Sequence, residues 1–284
     1  FPYTTLFRRS EERRVGKECT LIVYGLVTET SVVELFKAGV GPGLLLTVVF
    51  AAYAMWRHRH MPPKPFDPGA LWRALREGVW ALGMPLLLLG GIYSGRFGLI
   101  EAAAVALLYA VAVELFVHRA LTLRGLYDTV LEAARFGGAL FPIIAIAVSL
   151  SVVMAEHRVA PQLVAAVQGW IATPLAFMLA VNALLLLVGT VMTADVAILV
   201  LAPLLAPLAE AYGYDKVLFG IVMVMNLEIG FLTPPVGLNL IVAMGAFKQP
   251  FAVLCHAALP FIVLMLGTLA VVIWQPWIAL ALAR

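Results

Sequence analysis

Charge is what this chain has least of. Asp, Glu, Lys and Arg make up 12% of its residues, against about a quarter in an ordinary soluble domain. Hydrophobic residues make up 63%, and the mean hydropathy is +1.01. That balance excludes a soluble globular domain and marks a polytopic membrane protein. The formal charge of +3 is not a nucleic-acid signature, because the basic residues gather in short loops, where they orient the spans. Cysteine is nearly missing: Cys19 and Cys255 are the two. They make no disulfide framework, and Cys255, beside an apolar run, suits packing better than redox chemistry. The five histidines (58, 60, 118, 157 and 256) are scattered, so no transition-metal constellation forms. There is no Gly-rich phosphate loop and no nucleophile elbow, which argues against an ATPase or a hydrolase.

What is present is a series of apolar runs. A bilayer core of about 30 Å needs about 20 such residues per helix. Spans are predicted at 39–56, 78–95, 98–117, 137–155, 173–194, 196–212, 216–232 and 251–274, with a last apolar piece at 277–283. Arg57, Arg59, Lys64, Arg73 and Arg76 crowd one link, and Arg119, Arg124 and Arg135 another. The links between carry only Arg96 and Arg158. This alternation places 57–76 and 118–135 on the cytoplasmic side. LYDTVLEAARF, 126–136, has its charges on one face and reads as an interfacial helix.

The organisation expected is fourfold. Residues 1–19, FPYTTLFRRSEERRVGKEC, hold eight of the 35 charged residues. They read as a leader foreign to the rest, the alternative being a basic cytoplasmic tail. Residues 20–60 carry one transmembrane helix, and 61–77, with the proline-rich MPPKPFDPG, form a cytoplasmic linker. Residues 78–284 form a second half with its transmembrane helices and a Pro-Pro hairpin. A faint internal repeat supports a two-half plan. At an offset of 219, residues 21–45 show six identities with 240–264, among them Leu21/Leu240, Val23/Val242, Leu35/Leu254 and Ala38/Ala257.

Polar groups inside such a chain are costly, so each needs a reason. Asp195 lies in GTVMTADVAILVLAPLLAP. Gly189, Thr190 and Thr193 lie within two turns and supply oxygens. An oxygen-only setting suits a hard cation such as Na+. The competing reading is a cap on the helix that follows. Pro203 and Pro207 share a helix face, and each frees a carbonyl that either lines a cavity or marks a tolerated kink. Glu101 suits the start of its helix.

The sharpest interruption is NLEIGFLTPPVGLNL, 226–240. Pro234 and Pro235 cannot both sit inside a regular helix. The span 216–232 must stop near Thr233, and a new helix is expected to start at the prolines. A helix C-terminus then faces a fresh N-terminus at membrane depth. Carbonyls at the first suit a cation, and free N–H groups at the second suit an anion. Gly230 and Gly237 permit close backbone approach. Asn226, Thr233 and Asn239 add side-chain oxygens. Broken helices of this kind hold solute at the midplane of carriers, whereas an ordinary inter-helix loop is the bland alternative.

The stretch GTVMTADVAILVLAPLLAPLAEAYGYDKVLFGIVMVMNLEIGFLTPPVGLNLIV resembles the large membrane subunit of TRAP transporters, the DctM-like permeases. GGIYSGRFGLIEAAAVALLYA, 90–110, is similar to another family segment, although Gly98 to Ile100 stand where that family usually has Thr-Pro. LIVYGLVTETSVVELFKAGVGPGLLL, 21–46, resembles the stretch after the family's first-half Pro-Pro-Ser motif. The likeness covers 20–284. It implies an all-α, polytopic, partial inverted-repeat carrier of the elevator type in the bacterial inner membrane, with the first half missing from this chain. A fragment of this kind is not expected to transport alone. The resemblance further implies Na+ as coupling ion, no other cofactor, and uptake of a small organic acid such as a C4-dicarboxylate. The implied partners are a small TRAP membrane subunit, a periplasmic substrate-binding protein and membrane lipid, and no nucleic acid. Carried over, Asp195, Thr193, Gly230 and Thr233 would hold Na+. Asn226, Thr233, Pro234, Pro235, Gly237 and Asn239 would hold substrate. Two other functions compete: a different carrier or channel with discontinuous helices, and an intramembrane aspartyl enzyme. The enzyme would need two carboxylates sharing a proton, and Asp195 is the one clear intramembrane aspartate.

Overall fold

The structure is a computed structural model, and it describes residues 20–59 and 67–283. Every regular element among them is helical. In chain order they are α1 (Thr20–Thr28), α2 (Val32–Arg57), α3 (Pro68–Tyr93), α4 (Leu99–Ala112) with a π-helical turn at Val113–Val117, α5 (Leu123–Glu156), α6 (Val159–Gln168), α7 (Pro174–Gly189), α8 (Ala194–Ala211), α9 (Lys216–Phe231), α10 (Leu238–Phe247), α11 (Phe251–Trp274) and α12 (Trp277–Leu280). By length and hydropathy, Val32–Arg57, Ile100–Val117, Ala194–Ala211 and Phe251–Trp274 can each cross a bilayer, and Pro174–Gly189 and Leu238–Phe247 are shorter apolar helices. The chain is thus an all-α polytopic membrane protein, as its composition requires.

Two compact units result. Among the described residues, those from Thr20 to Trp56 join those from Leu140 onward, while those between Arg57 and Ala139 form the other unit. The leader 1–19 and the linker prolines up to Pro65 lie outside the described residues.

In the Arg57–Ala139 unit, α3 and α4 pack together. Helix α3 starts at Pro68, inside the stretch 61–77 read as linker. Asp67 explains the early start: its carboxylate accepts from the Gly69 N–H at 2.9 Å, and Pro68 occupies the first turn without losing a bond. Tyr109 of α4 donates its hydroxyl to the Trp80 carbonyl at 2.8 Å. Glu101 has the helix-start role that its position suggested, accepting from the Gly98 N–H at 2.9 Å. The expected interfacial helix 126–136 is not separate. It runs on through Gly137 and Gly138 as the front of the 34-residue α5, since glycine weakens a helix without ending it.

In the larger unit, α9 is the hub, in contact with α1, α7, α8, α10, α11 and α12. Its residues Phe219, Val222, Met223, Leu227 and Ile229 are wholly buried. Tyr24 of α1 lies over Gly220, where a Cβ would sit 2.5 Å from its ring, and donates its hydroxyl to the Lys216 carbonyl at 2.9 Å. Phe177 of α7 stacks on Tyr212 at 4.4 Å. Tyr212 in turn donates to the Ile171 carbonyl at 2.7 Å.

The repeat seen faintly in sequence is plain in the backbone. A short helix, a residue with positive φ and a long helix occur as α1, Glu29 (φ 55) and α2. They recur 219 residues on as α10, Lys248 (φ 51) and α11. Two non-glycine residues in the left-handed region at equivalent places reflect a shared corner rather than chance strain.

Candidate functional site at the ends of four helices

Each helix of the site has a definite stop or start. Helix α7 opens on Thr173, whose hydroxyl accepts from the Ala176 N–H at 3.3 Å, followed by Pro174. It closes at Gly189–Thr190, where the Thr190 hydroxyl, buried, donates to the Leu187 carbonyl at 2.7 Å. Helix α9 opens on Asp215, whose carboxylate accepts from the Val217 and Leu218 N–H groups at 2.8 and 3.3 Å. It closes at Leu232, and the Thr233 hydroxyl donates to the Ile229 carbonyl at 2.7 Å.

Helices α7 and α9 run in the same direction. Asn182 meets Asn226, and further along both helices Gly189 meets Gly230. A Cβ on Gly230 would lie 2.7 Å from the Cα and the carbonyl carbon of Gly189. The two backbones are therefore in direct contact, which only glycine permits. The parallel course puts the C-terminal ends of α7 and α9 at one level. Helix α8 starts five residues after Gly189, and α10 starts seven after Phe231. Two carbonyl-rich ends and two N–H-rich ends so gather at one end of the bundle.

The predicted site residues fall around these ends. Thr193 caps α8 with extended backbone, but its side chain takes no N–H of the first turn. Asp195 is the second residue of α8 and half-buried. Gly230 is buried, Thr233 and Asn239 are half-buried, and Pro234 and Pro235 are exposed. Helix α10 does not begin at the prolines. It begins at Leu238, because Gly237 is left-handed (φ 55) and cannot belong to a right-handed helix. A Cβ on Gly237 would come within 3.4 Å of the Thr233 carbonyl oxygen, so the turn folds back on the end of α9.

Asn226 sits apart from this turn, nearly two helical turns earlier on α9. It is wholly buried, and its Nδ2 donates to the Asn182 backbone carbonyl at 3.2 Å and to the Asn182 Oδ1. Its Oδ1 has no donor. Asn182 was not singled out in the sequence. Its signal was there, as the one amide in the apolar run AFMLAVNALLLLVG. Among the described residues no three of His, Cys, Asp and Glu gather to hold a metal. Any cation at these helix ends would meet carbonyl and hydroxyl oxygens with Asp195, a donor set suited to a hard monovalent ion.

Such an arrangement defines a class: a multi-pass α-helical membrane protein whose apolar helices break to bring charged helix ends together. Sequence comparison gives the family. The family described as "Tripartite ATP-independent periplasmic transporter, DctM component" matches residues 18–278, and the chain belongs to it. Among curated relatives, the C4-dicarboxylate TRAP transporter large permease protein DctM of Pseudomonas aeruginosa is 39% identical over 269 residues. The ectoine/5-hydroxyectoine TRAP transporter large permease protein UehC of Ruegeria pomeroyi is 35% identical over 266. The sialic acid TRAP transporter large permease protein SiaM of Vibrio cholerae is 34% identical over 266. In each case the match covers 92% of this chain and 62% of the relative. The chain is a multi-pass inner-membrane protein of this family, and it spans about 62% of the length of these relatives.

Proposed function

We infer that the chain forms part of a Na+-coupled permease that takes up small organic acids delivered by a periplasmic binding protein, working with a small membrane subunit. The supporting observation is the gathering of four helix ends, with Asp195 in the first turn of α8 and glycines 189 and 230 in backbone contact. The C-terminal carbonyls of α7 and α9 attract a cation. The N–H groups opening α8 and α10 attract a carboxylate. A bound Na+ also offsets the negative charge of Asp195, which lets an anionic substrate approach. That order of binding gives coupling without any covalent chemistry.

The relatives' names span C4-dicarboxylate, ectoine, sialic acid and isethionate. An acidic oxyanion group, carboxylate or sulfonate, is common to these solutes, and a helix N-terminus recognises such a group without reading the rest of the molecule. The substrate class is therefore a small organic acid. The test is uptake of labelled C4-dicarboxylate, ectoine and sialic acid by cells carrying the permease with its small subunit and binding protein. Uptake of one of them should be high in Na+ and near background when K+ replaces it. Equal uptake in the two media removes the coupling.

Sidedness follows from the basic links. Arg76, exposed on α3, should face the cytoplasm. In a background without Cys19 and Cys255, Arg76→Cys in intact cells should resist an impermeant thiol reagent applied from the periplasmic side. It should react fully once the membrane is opened. Labelling in intact cells reverses the topology.

A further inference from the structure

The pair Asn182–Asn226 is unusual for what it costs. Asn226 is 0% exposed and its Oδ1 finds no donor. An acceptor buried without a partner destabilises a fold, and interhelical side-chain hydrogen bonds in membranes give little back. Two leucines in these places would cost less. A polar pair kept at such a cost is best explained by direction: apolar side chains slide past one another, whereas a donor and its acceptors define one register.

The geometry of α7 shows why register matters. The Asn226 Nδ2 reaches both the backbone carbonyl and the side-chain oxygen of Asn182. Asn182 is itself held, its Nδ2 donating to the Met178 carbonyl at 2.7 Å. About two turns further along α7, Gly189 lies against Gly230. That contact is smooth on both sides and has no side chain to lock it. Beside this seam α7 borders an apolar cavity of about 550 Å3, lined by Met178, Asn182 and Leu186 of α7 and by Leu269 and Ile273 of α11. Helix α7 therefore has room to shift, and the amide pair is the directional tie between it and α9.

We propose that Asn182 is a positioning residue, which acts through Asn226 to hold α7 and α9 in the one register where Gly189 meets Gly230. It thereby sets the spacing between the α7–α8 turn and the broken α9–α10 segment. This places Asn226 in the seam between the helices rather than on the solute. The proposal rests on the site reading given above, so its test carries a readout independent of transport.

The test uses three forms of the permease: wild type, Asn182→Leu, and Asn182→Leu/Asn226→Leu. Spin labels at Val191 and Ile241, both exposed, report the distance across the broken segment. Thermal unfolding and the Na+ concentration for half-maximal uptake are measured beside it. The double variant, with an apolar pair, should unfold at or above the wild-type temperature. Its distance distribution should broaden or shift, and its half-saturating Na+ should rise about tenfold, the equivalent of losing one well-placed contact. A purely structural pair predicts the opposite: apolar replacement restores the wild-type distances and Na+ response together with stability. An unchanged distance distribution overturns the proposal whatever uptake does, and lost uptake with unchanged distances returns Asn226 to the solute. If the double variant does not accumulate, Asn182→Leu is judged by the same distances, since it leaves the backbone acceptor in place. Should wild type itself show no Na+ response, the transport reading fails while the distances still decide the role of Asn182.

Discussion

Asp195→Asn is expected to abolish Na+-dependent uptake, or to raise the Na+ requirement at least about a hundredfold, while leaving the folded protein intact. The substitution keeps the size of the side chain and removes its charge. Asp195 lies in the first turn of α8, where a carboxylate favours the helix by about 0.3–1 kcal/mol. Losing that term is offset by relief from holding a half-buried charge away from water. The net change in stability should be small. The loss at the ion site should not be, because a neutral amide is a far weaker ligand for a hard cation than a carboxylate. Two measurements check this. One is uptake against Na+ concentration in cells that make the variant at wild-type level. The other is the thermal unfolding of purified protein with Na+ and with K+. Wild type should unfold at a higher temperature in Na+, by mass action, and the variant should not distinguish the two ions. A variant with the wild-type Na+ response takes Asp195 out of the ion site and leaves it a helix-start residue.

How much of this was legible in the sequence depends on how local each signal is. Some spans were, because a long apolar run has few alternatives: 98–117 and 251–274 correspond to Ile100–Val117 and Phe251–Trp274. The break after Thr233 was legible too, because two prolines forbid the helix. The start of the next helix was not. Prolines favour a first turn, but the left-handed Gly237 delays α10 to Leu238, and a glycine in sequence does not announce the sign of its φ. Asp67–Pro68 carried a readable helix start, which the prolines just before it concealed. Asn182 escaped for a different reason. Its partner is 44 residues away, and a lone amide in an apolar run gives no hint of what it faces. The contact of Gly189 with Gly230 is likewise a fact of packing, invisible until the two helices are laid side by side.

That contact gives the second large effect. Gly230→Ala should destabilise the permease sharply, and Gly230→Val should leave little folded protein. The first methyl carbon would lie 2.7 Å from the Cα and the carbonyl carbon of Gly189. Real Cβ atoms essentially never come that close to backbone, and a helix axis cannot turn aside as a flexible side chain can. Helix α7 must move away from α9, and with it the α7–α8 turn that leads to Asp195. Overpacking of this kind costs about 1–3 kcal/mol or more. Here the displaced atoms belong to the hub of the larger unit, so the upper part of that range is expected. Gly189→Ala should be milder, since its Cβ would meet Leu227 O at 3.1 Å and Gly230 Cα at 3.2 Å. Gly245 on α10 supplies the control, for a Cβ there meets nothing within 4 Å. Gly245→Ala should be neutral or stabilising by about 0.5–1 kcal/mol, through helix propensity alone. Thermal unfolding of the three alanine variants in detergent, with the monodisperse fraction from size exclusion, gives the order: Gly230→Ala lowest, then Gly189→Ala, with Gly245→Ala at or above wild type. If Gly230→Ala unfolds with Gly245→Ala, the two backbones do not touch, and the level at which four helix ends gather loses its anchor.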